Sequence, residues 1–319
     1  MKKCTALLLL LVFLTASLFT PALADKKITI VAATFPLYDW TRQVLGENSD
    51  TELILLMDSG VDLHSFNPTA QDILRVASCD LFIYVGGESD EWVEDAQKHL
   101  INQDQIAISL METLGEAAKE EELVEGMQAE DEEHDEDEAE YDEHVWLSLR
   151  NAQLFTQAIA DALCQLDAEG AAAYQANAAA YIAKLQDLDT RYADMTAQAA
   201  YDTILFGDRF PFRYLADDYN LNYYAAFSGC SAETEASFQT IIFLAGKTDE
   251  LGLPAVLTIE GTDHRIAETI VQSTANKNQQ VLTVDSMQGT TAKAIGEGVT
   301  YLGVMEKNLA VFGQALGLE

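Results

Sequence analysis

Eight short runs of β-branched and other apolar residues, separated by helix-forming stretches, constrain the fold of this 319-residue chain most strongly. The runs lie at residues 27–33, 51–57, 81–85 and 105–109 in the first half, and at 202–206, 221–227, 255–259 and 280–284 in the second. Strands that alternate with helices form βαβ units, because parallel neighbours need a crossover connection. The sequence therefore predicts an α/β fold with two Rossmann-like lobes, each built on a mostly parallel sheet of about four strands.

A long alanine-rich stretch lies between the two sets of strands. Residues 151–198 are rich in helix formers and are interrupted only around residues 167–170. The part after Gly170 has no proline or glycine for about 28 residues, which at ~1.5 Å per residue predicts a helix of roughly 42 Å. We expect it to be a rigid link between the lobes. Its apolar side chains at helical spacing are predicted core residues: Tyr174, Tyr181, Leu185 and Leu188.

The N-terminus has the pattern of a secretory signal. Lys2 and Lys3 precede an apolar stretch, and small residues stand before Asp25 as a cleavage site. We therefore expect export across the cytoplasmic membrane and a periplasmic or cell-surface location. The predicted organisation has four parts: a signal peptide at 1–24, an N-terminal lobe at 25–168, a linking helix at 169–198 and a C-terminal lobe at 199–319.

The composition excludes several classes of function. The chain has 53 Asp and Glu against 18 Lys and Arg, a formal net charge of −35. Such a charge repels nucleic acid and anionic lipid and attracts cations, so no nucleic-acid partner is expected. Beyond the signal, Cys79, Cys164 and Cys230 form neither a CxxC pair nor a dense cluster, and are predicted to be small buried thiols with at most one disulfide.

Three of the four candidate metal ligands follow predicted strands. His64 follows the second run, Asp208 the fifth and Asp285 the eighth, while His144 follows an acidic stretch and precedes a helix. Ligands of open α/β sheets bind beyond the carboxyl ends of the strands. Imidazole is the commonest protein ligand for zinc and its neighbours, and two carboxylates would balance one divalent ion. The sequence therefore predicts a divalent metal site with these four side chains as ligands.

Each carboxylate also has a simpler interpretation. Asp208 could cap the following helix or pair with Arg209 or Arg213, and Asp285 could be an ordinary residue at the start of a loop. Glu260 and His264 follow the seventh run and are predicted to support the ligands or to cap a helix. His99 is predicted to be a surface residue.

Residues 120–143 form an acidic segment with few apolar side chains. We expect a solvated, mobile loop. It could serve solubility alone, or it could collect cations weakly beside the site through its carboxylates and His134.

These motifs resemble those of the zinc/manganese-type solute-binding proteins of bacterial ABC importers, the cluster A-I family. The resemblance covers essentially the whole mature chain, through TFPLYDW, VDLHSFNPT, YVGGESDEWVED, EHVWLSLRNA, FGDRFPFRYLADDYNL, TIEGTDHRIAETI and LTVDSMQ. It implies two α/β lobes joined by a long rigid helix, a metal ion between them, no enzymatic activity and a membrane permease as partner. Carried over by position, it implies His64, His144, Asp208 and Asp285 as ligands. We expect a monomer.

Some positions depart from the family pattern. Leu63 replaces the usual proline before the first histidine, Phe66 and Asn67 replace a Tyr-Glu pair, and Asp208 stands where zinc-type members often have His and manganese-type members Glu. The acidic segment with its histidine favours Zn²⁺, and Mn²⁺ is the alternative. A secreted zinc hydrolase stays open as a second class, although no HExxH motif is present. A third is a non-metal solute receptor or adhesin on the same scaffold.

Overall fold

The computed structural model describes residues 27–47, 51–128, 140–231 and 235–318. The predicted signal peptide and His134 lie outside these ranges. Within them, no helix combines the length and the apolar character that a bilayer crossing requires.

The N-terminal lobe is built on one parallel sheet, as predicted. Its four strands lie in the order β2-β1-β3-β4. The strands are β1 (Ile28–Ala32), β2 (Thr51–Leu55), β3 (Leu81–Tyr84) and β4 (Ile106–Ser109), and the helices are α1 (Phe35–Leu45), α2 (Ala70–Ser78), α3 (Trp92–Lys98) and α4 (Leu110–Leu114). Because all strands run the same way, their carboxyl ends share one edge, from which the loop carrying His64 leaves.

Two helices follow the first lobe, α5 (Leu149–Leu166) and α6 (Ala171–Gln198), and pack on each other. Helix α6 has 28 residues, as the lack of proline and glycine predicted. The four side chains predicted to pack in the core are all buried: Tyr174, Tyr181, Leu185 and Leu188.

The C-terminal lobe repeats the topology of the first, with four parallel strands in the order β6-β5-β7-β8. The strands are β5 (Thr203–Arg209), β6 (Asn222–Phe227), β7 (Ala255–Ile259) and β8 (Gln280–Val284), and the helices are α7 (Arg213–Asp218), α8 (Phe238–Leu251), α9 (Arg265–Ser273), α10 (Ala292–Gly296) and α11 (Tyr301–Ala315). All eight predicted strands are present. The predicted end of β5 was wrong, because the strand continues through Asp208, which therefore lies within it.

One buried cluster runs through both lobes. It includes Ile30 of the first sheet, Leu185 of α6 and Phe206 of the second sheet. A buried carboxylate, Asp39 on α1, accepts a hydrogen bond from the backbone N–H of Tyr301 at the start of α11, at 2.8 Å. Apolar packing and a satisfied polar contact thus tie the lobes together and define the cleft between their sheet edges.

Candidate metal centre

His64 lies on a single 3-10 turn, Leu63–Ser65, beyond the carboxyl end of β2. The carboxylate of Asp62 accepts a hydrogen bond from the backbone N–H of His64 at 3.0 Å, which fixes the start of the turn. The Nδ1 atom of the ring lies 2.8 Å from the hydroxyl of Ser89. Asp62 thus holds the turn and Ser89 holds the ring. The Nε2 atom of the imidazole is left to face the cleft.

His144 is completely buried just before the 3-10 turn Val145–Leu147. The same carboxylate oxygen of Asp142 accepts from its backbone N–H at 2.8 Å and lies 2.9 Å from its Nδ1. Because an ionised carboxylate only accepts hydrogen bonds, the hydrogen of a neutral imidazole belongs on Nδ1. This leaves a lone pair on Nε2, the arrangement seen where a carboxylate orients a metal-binding histidine.

The two imidazoles converge across the cleft. Their Nε2 atoms lie 3.3 Å apart, and their ring centroids lie 5.2 Å apart. The Sγ atom of Cys230 completes a group in which all three candidate ligand atoms lie within 4.8 Å of one another. In the described ranges, it is the one such group of three or more His, Cys, Asp or Glu side chains. Two imidazole nitrogens and one sulfur are a donor set suited to zinc.

The surroundings of the two imidazoles shift their pKa values in opposite directions. Burial, and then the charge of His144, lowers the pKa of His64 to about 3. Burial also acts to lower the pKa of His144, but the charge and hydrogen bond of Asp142 outweigh it and raise that pKa. Burial thus favours the neutral, metal-binding form of His64, whereas Asp142 favours the protonated form of His144, with which an entering cation would compete.

A cavity of about 250 Å³ adjoins the group, and carboxylates line much of it. Among its lining residues are His64, Glu121, Glu143 and Cys230. One oxygen of Glu143 accepts from the backbone N–H of Ser89 at 2.9 Å, whereas the other is buried without a hydrogen bond, 3.5 Å from Nδ1 of His64. Burial raises the pKa of Glu143 to about 7 and, with nearby carboxylates, raises that of the Cys230 thiol. The cavity is electrostatically suited to a cation.

The prediction that residues 120–143 form a solvated loop was wrong at the C-terminal end of that segment, whereas Glu120 at its start is exposed. Glu120 pairs with Tyr141 in an antiparallel bridge. Asp142 and Glu143 are each only 2% exposed. Asp142 contacts His144, and Glu143 contacts His64. Their position within a run of acidic residues gave no sign of these contacts.

Asp208 is buried in β5 with both oxygens engaged by its own lobe. One accepts from the backbone N–H of Arg209 at 2.9 Å. The other accepts from the backbone N–H of Ile259 at 3.2 Å and from the hydroxyl of Thr262 at 2.9 Å. Asp208 is not in the group of His64, His144 and Cys230. Its contacts hold the loop between β7 and α9.

Asp285 and Glu260 organise the loop after β8 and are also outside that group. Asp285 accepts from the backbone N–H of Met287 at 2.8 Å. Glu260 accepts from the backbone N–H and the hydroxyl of Ser286, both at 2.7 Å, and from the backbone N–H of Gln288 at 3.2 Å. Burial, and then the charge of Asp285, raises the pKa of Glu260 to about 7. Glu260 thus fixes the loop that carries Gln288.

Gln288 reaches both histidine segments from the other lobe. Its side-chain amide lies between the carboxylate of Asp62, 2.8 Å from one amide atom, and Nε2 of His144, 3.1 Å from the other. His264, the other candidate supporting residue, is not in the candidate metal group: it precedes α9 with a left-handed backbone, and its Nε2 lies 3.4 Å from the hydroxyl of Thr283.

An ion pair that the sequence did not predict joins the lobes at the cleft. A guanidinium nitrogen of Arg209, at the end of β5, donates to the carboxylate of Asp62 at 2.9 Å. Burial acts to raise the pKa of Asp62, but Arg209 and then His64 outweigh it and lower that pKa. Because Asp62 also caps the turn of His64, the C-terminal lobe acts directly on the position of this histidine.

Comparisons with known proteins identify the family of this chain. Residues 30–315 match the family model described as the periplasmic zinc-uptake complex component A. Since that match covers most of the chain, the protein belongs to this family. The chain is 30% identical over 300 residues to the zinc-binding lipoprotein AdcA of Streptococcus pneumoniae, covering 93% of this chain and 57% of that one. It is 29% identical to the high-affinity zinc uptake system protein ZnuA of Bacillus subtilis, covering 91% of this chain and 88% of that one.

Solved structures have the same fold. The Zn(II)-bound ZnuA-like domain of Streptococcus pneumoniae AdcA superposes with a TM-score of 0.71 at 26% identity, covering 91% of this chain and 99% of that domain. The predicted α/β class with two lobes is confirmed. The chain spans 57% of the length of the first AdcA relative, so it corresponds to one part of that longer protein.

Proposed function

We propose that this protein is an extracytoplasmic receptor that captures Zn²⁺ between its lobes and delivers it to the membrane permease of an ABC importer. The observation that carries the proposal is the convergence of Nε2 of His64 and Nε2 of His144 to 3.3 Å, with both rings fixed from behind. Preorganised imidazoles lose little entropy when they bind an ion, so such a pair favours tight capture without chemical turnover.

The choice of zinc rests on the donor atoms and on the relatives. Zn²⁺ prefers nitrogen and sulfur donors, whereas Mn²⁺ is better suited to carboxylate, carbonyl and water oxygens. Both AdcA and the Bacillus subtilis ZnuA are named for zinc. These points favour Zn²⁺ over the Mn²⁺ alternative, and family membership favours a receptor over a secreted hydrolase or a non-metal receptor.

The ligand proposal keeps the two histidines as its centre. Asp208 and Asp285, the predicted carboxylate ligands, would have to exchange their present hydrogen bonds for a bond to the metal. Each exchange costs about 0.5–1.5 kcal/mol per hydrogen bond in the metal-free reference state. We therefore expect variants of these aspartates to lose less zinc affinity than variants of His64 or His144.

Thermal unfolding tests the proposed function. A ligand that binds only the folded state stabilises it by RT ln(1 + [L]/Kd), so Zn²⁺ at a thousandfold excess over Kd should add about 4 kcal/mol and raise the melting temperature. The matched control is a His64→Ala, His144→Ala double variant, which should show no such rise. If neither Zn²⁺ nor Mn²⁺ changes the melting temperature of the chelator-stripped protein, the receptor proposal is wrong.

A further inference from the structure

The loop after β6 brings a thiol to the two imidazoles. Cys230 follows the strand by three residues, through Ser228 and Gly229, and its backbone N–H donates to the carboxylate of Glu121 at 3.0 Å. A Cβ atom at position 229 would lie 3.0 Å from Nδ1 of His144 and 3.0 Å from the backbone oxygen of Phe210. Glycine is therefore what allows the loop to pass this close to His144.

We propose that Cys230 is a thiolate ligand of the captured zinc, so that the ion is held by His64, His144 and the sulfur of Cys230. The inference rests on the proposed function and specifies the donor set of the same site. Its basis is geometric, since the Sγ atom lies within 4.8 Å of candidate ligand atoms on both rings. When the ion binds, the S–H bond breaks, the Zn–S bond forms and the proton leaves to the solvent.

A thiolate changes what the site selects. Two imidazoles and one thiolate leave the fourth position of a tetrahedral zinc site for a carboxylate or a water molecule. Sulfur is a poor donor for Mn²⁺, which favours oxygen ligands. Cys230 is therefore a specificity-determining residue, and zinc should lose its advantage over manganese when the sulfur is removed.

The other described cysteines lack these surroundings. The thiol of Cys79 is buried against the backbone oxygen of Val76, at 3.2 Å. Cys164 is half-buried, with its sulfur 3.6 Å from the backbone oxygen of Ala171. Neither belongs to a group with a histidine in the described residues. Cys164→Ser is therefore a matched control for Cys230→Ser.

Cobalt substitution tests the ligand directly, because Co²⁺ bound to a thiolate gives an intense sulfur-to-metal charge-transfer absorption in the near ultraviolet. We expect this band in the Co²⁺-loaded wild-type protein and in Cys164→Ser, and its loss in Cys230→Ser. Zinc affinity of Cys230→Ser should fall by more than the ~10–100-fold that loss of a supporting contact costs, with little change for Mn²⁺.

A measurement on the unaltered protein covers the case in which Cys230→Ser does not fold. Bound Zn²⁺ should protect Cys230 from iodoacetamide, mapped by peptide mass spectrometry, and leave Cys164 equally reactive. If the protein binds Co²⁺ and Zn²⁺ but shows neither the band nor the protection, Cys230 is not a ligand and the zinc-receptor proposal stands. If it binds neither ion, both proposals fail.

Discussion

His144→Ala should abolish tight Zn²⁺ binding, and His64→Ala should weaken it by orders of magnitude. Each substitution removes one of the two nitrogens that converge at the candidate site. His144 should have the larger effect because it is fully buried, and Asp142 orients its ring. Loss of a direct ligand should exceed the ~10–100-fold cost of losing an outer partner. Isothermal titration of the chelator-stripped variants with Zn²⁺ gives the comparison.

Two further variants should have smaller effects on zinc affinity. Asp142→Asn keeps the shape of the side chain but removes its charge from Nδ1 of His144, so zinc affinity should fall by ~10–100-fold. His99→Ala, at an exposed position at the end of α3, should bind zinc like the wild type. Wild-type affinity in His144→Ala would show that the tight site lies elsewhere.

Trp146→Ala should reduce the free energy of unfolding by about 3–5 kcal/mol, the usual cost of truncating a buried large aromatic side chain. Trp146 is 1% exposed, and its indole N–H donates to the backbone oxygen of Ser286 at 2.9 Å, which joins the histidine segment to the loop after β8. Its ring centroid lies 5.2 Å from that of His144. Urea unfolding of the metal-free protein provides the measurement.

Phe238→Ala is the control for that prediction. This aromatic residue at the start of α8 is 77% exposed, so its truncation should change stability by no more than about 0.5 kcal/mol. Equal destabilisation by the two substitutions would mean that Trp146 does not join the lobes in the way its contacts indicate.

The fold could be predicted from the sequence because its signals are local. Each strand is a short apolar run, and α6 is a stretch of helix formers without proline or glycine. The lengths between runs then required crossover connections and hence parallel sheets. The end of β5 was missed because Gly207 and Asp208 have low strand propensity, whereas pairing with β6 carries the strand to Arg209.

The site could be predicted only in part, because its partners are distant in the sequence. His64 lies in the loop after β2, where ligands are expected, and its imidazole does meet that of His144, which precedes the 3-10 turn at residues 145–147. Cys230 is not distinguished by any motif, and only the folded loop shows its approach to the rings. The pairing of Arg209 with Asp62 likewise spans 147 positions. One local signal was available, since Asp142 and Glu143 directly precede His144.

Competitive titration of the chelator-stripped protein with Zn²⁺ and Mn²⁺, against a chelator of known affinity, tests the central claim most directly. We predict one tight Zn²⁺ per chain and a much weaker affinity for Mn²⁺, because the converging donors are two imidazoles and a sulfur. Either the absence of a tight zinc site or a preference for Mn²⁺ over Zn²⁺ would contradict the account.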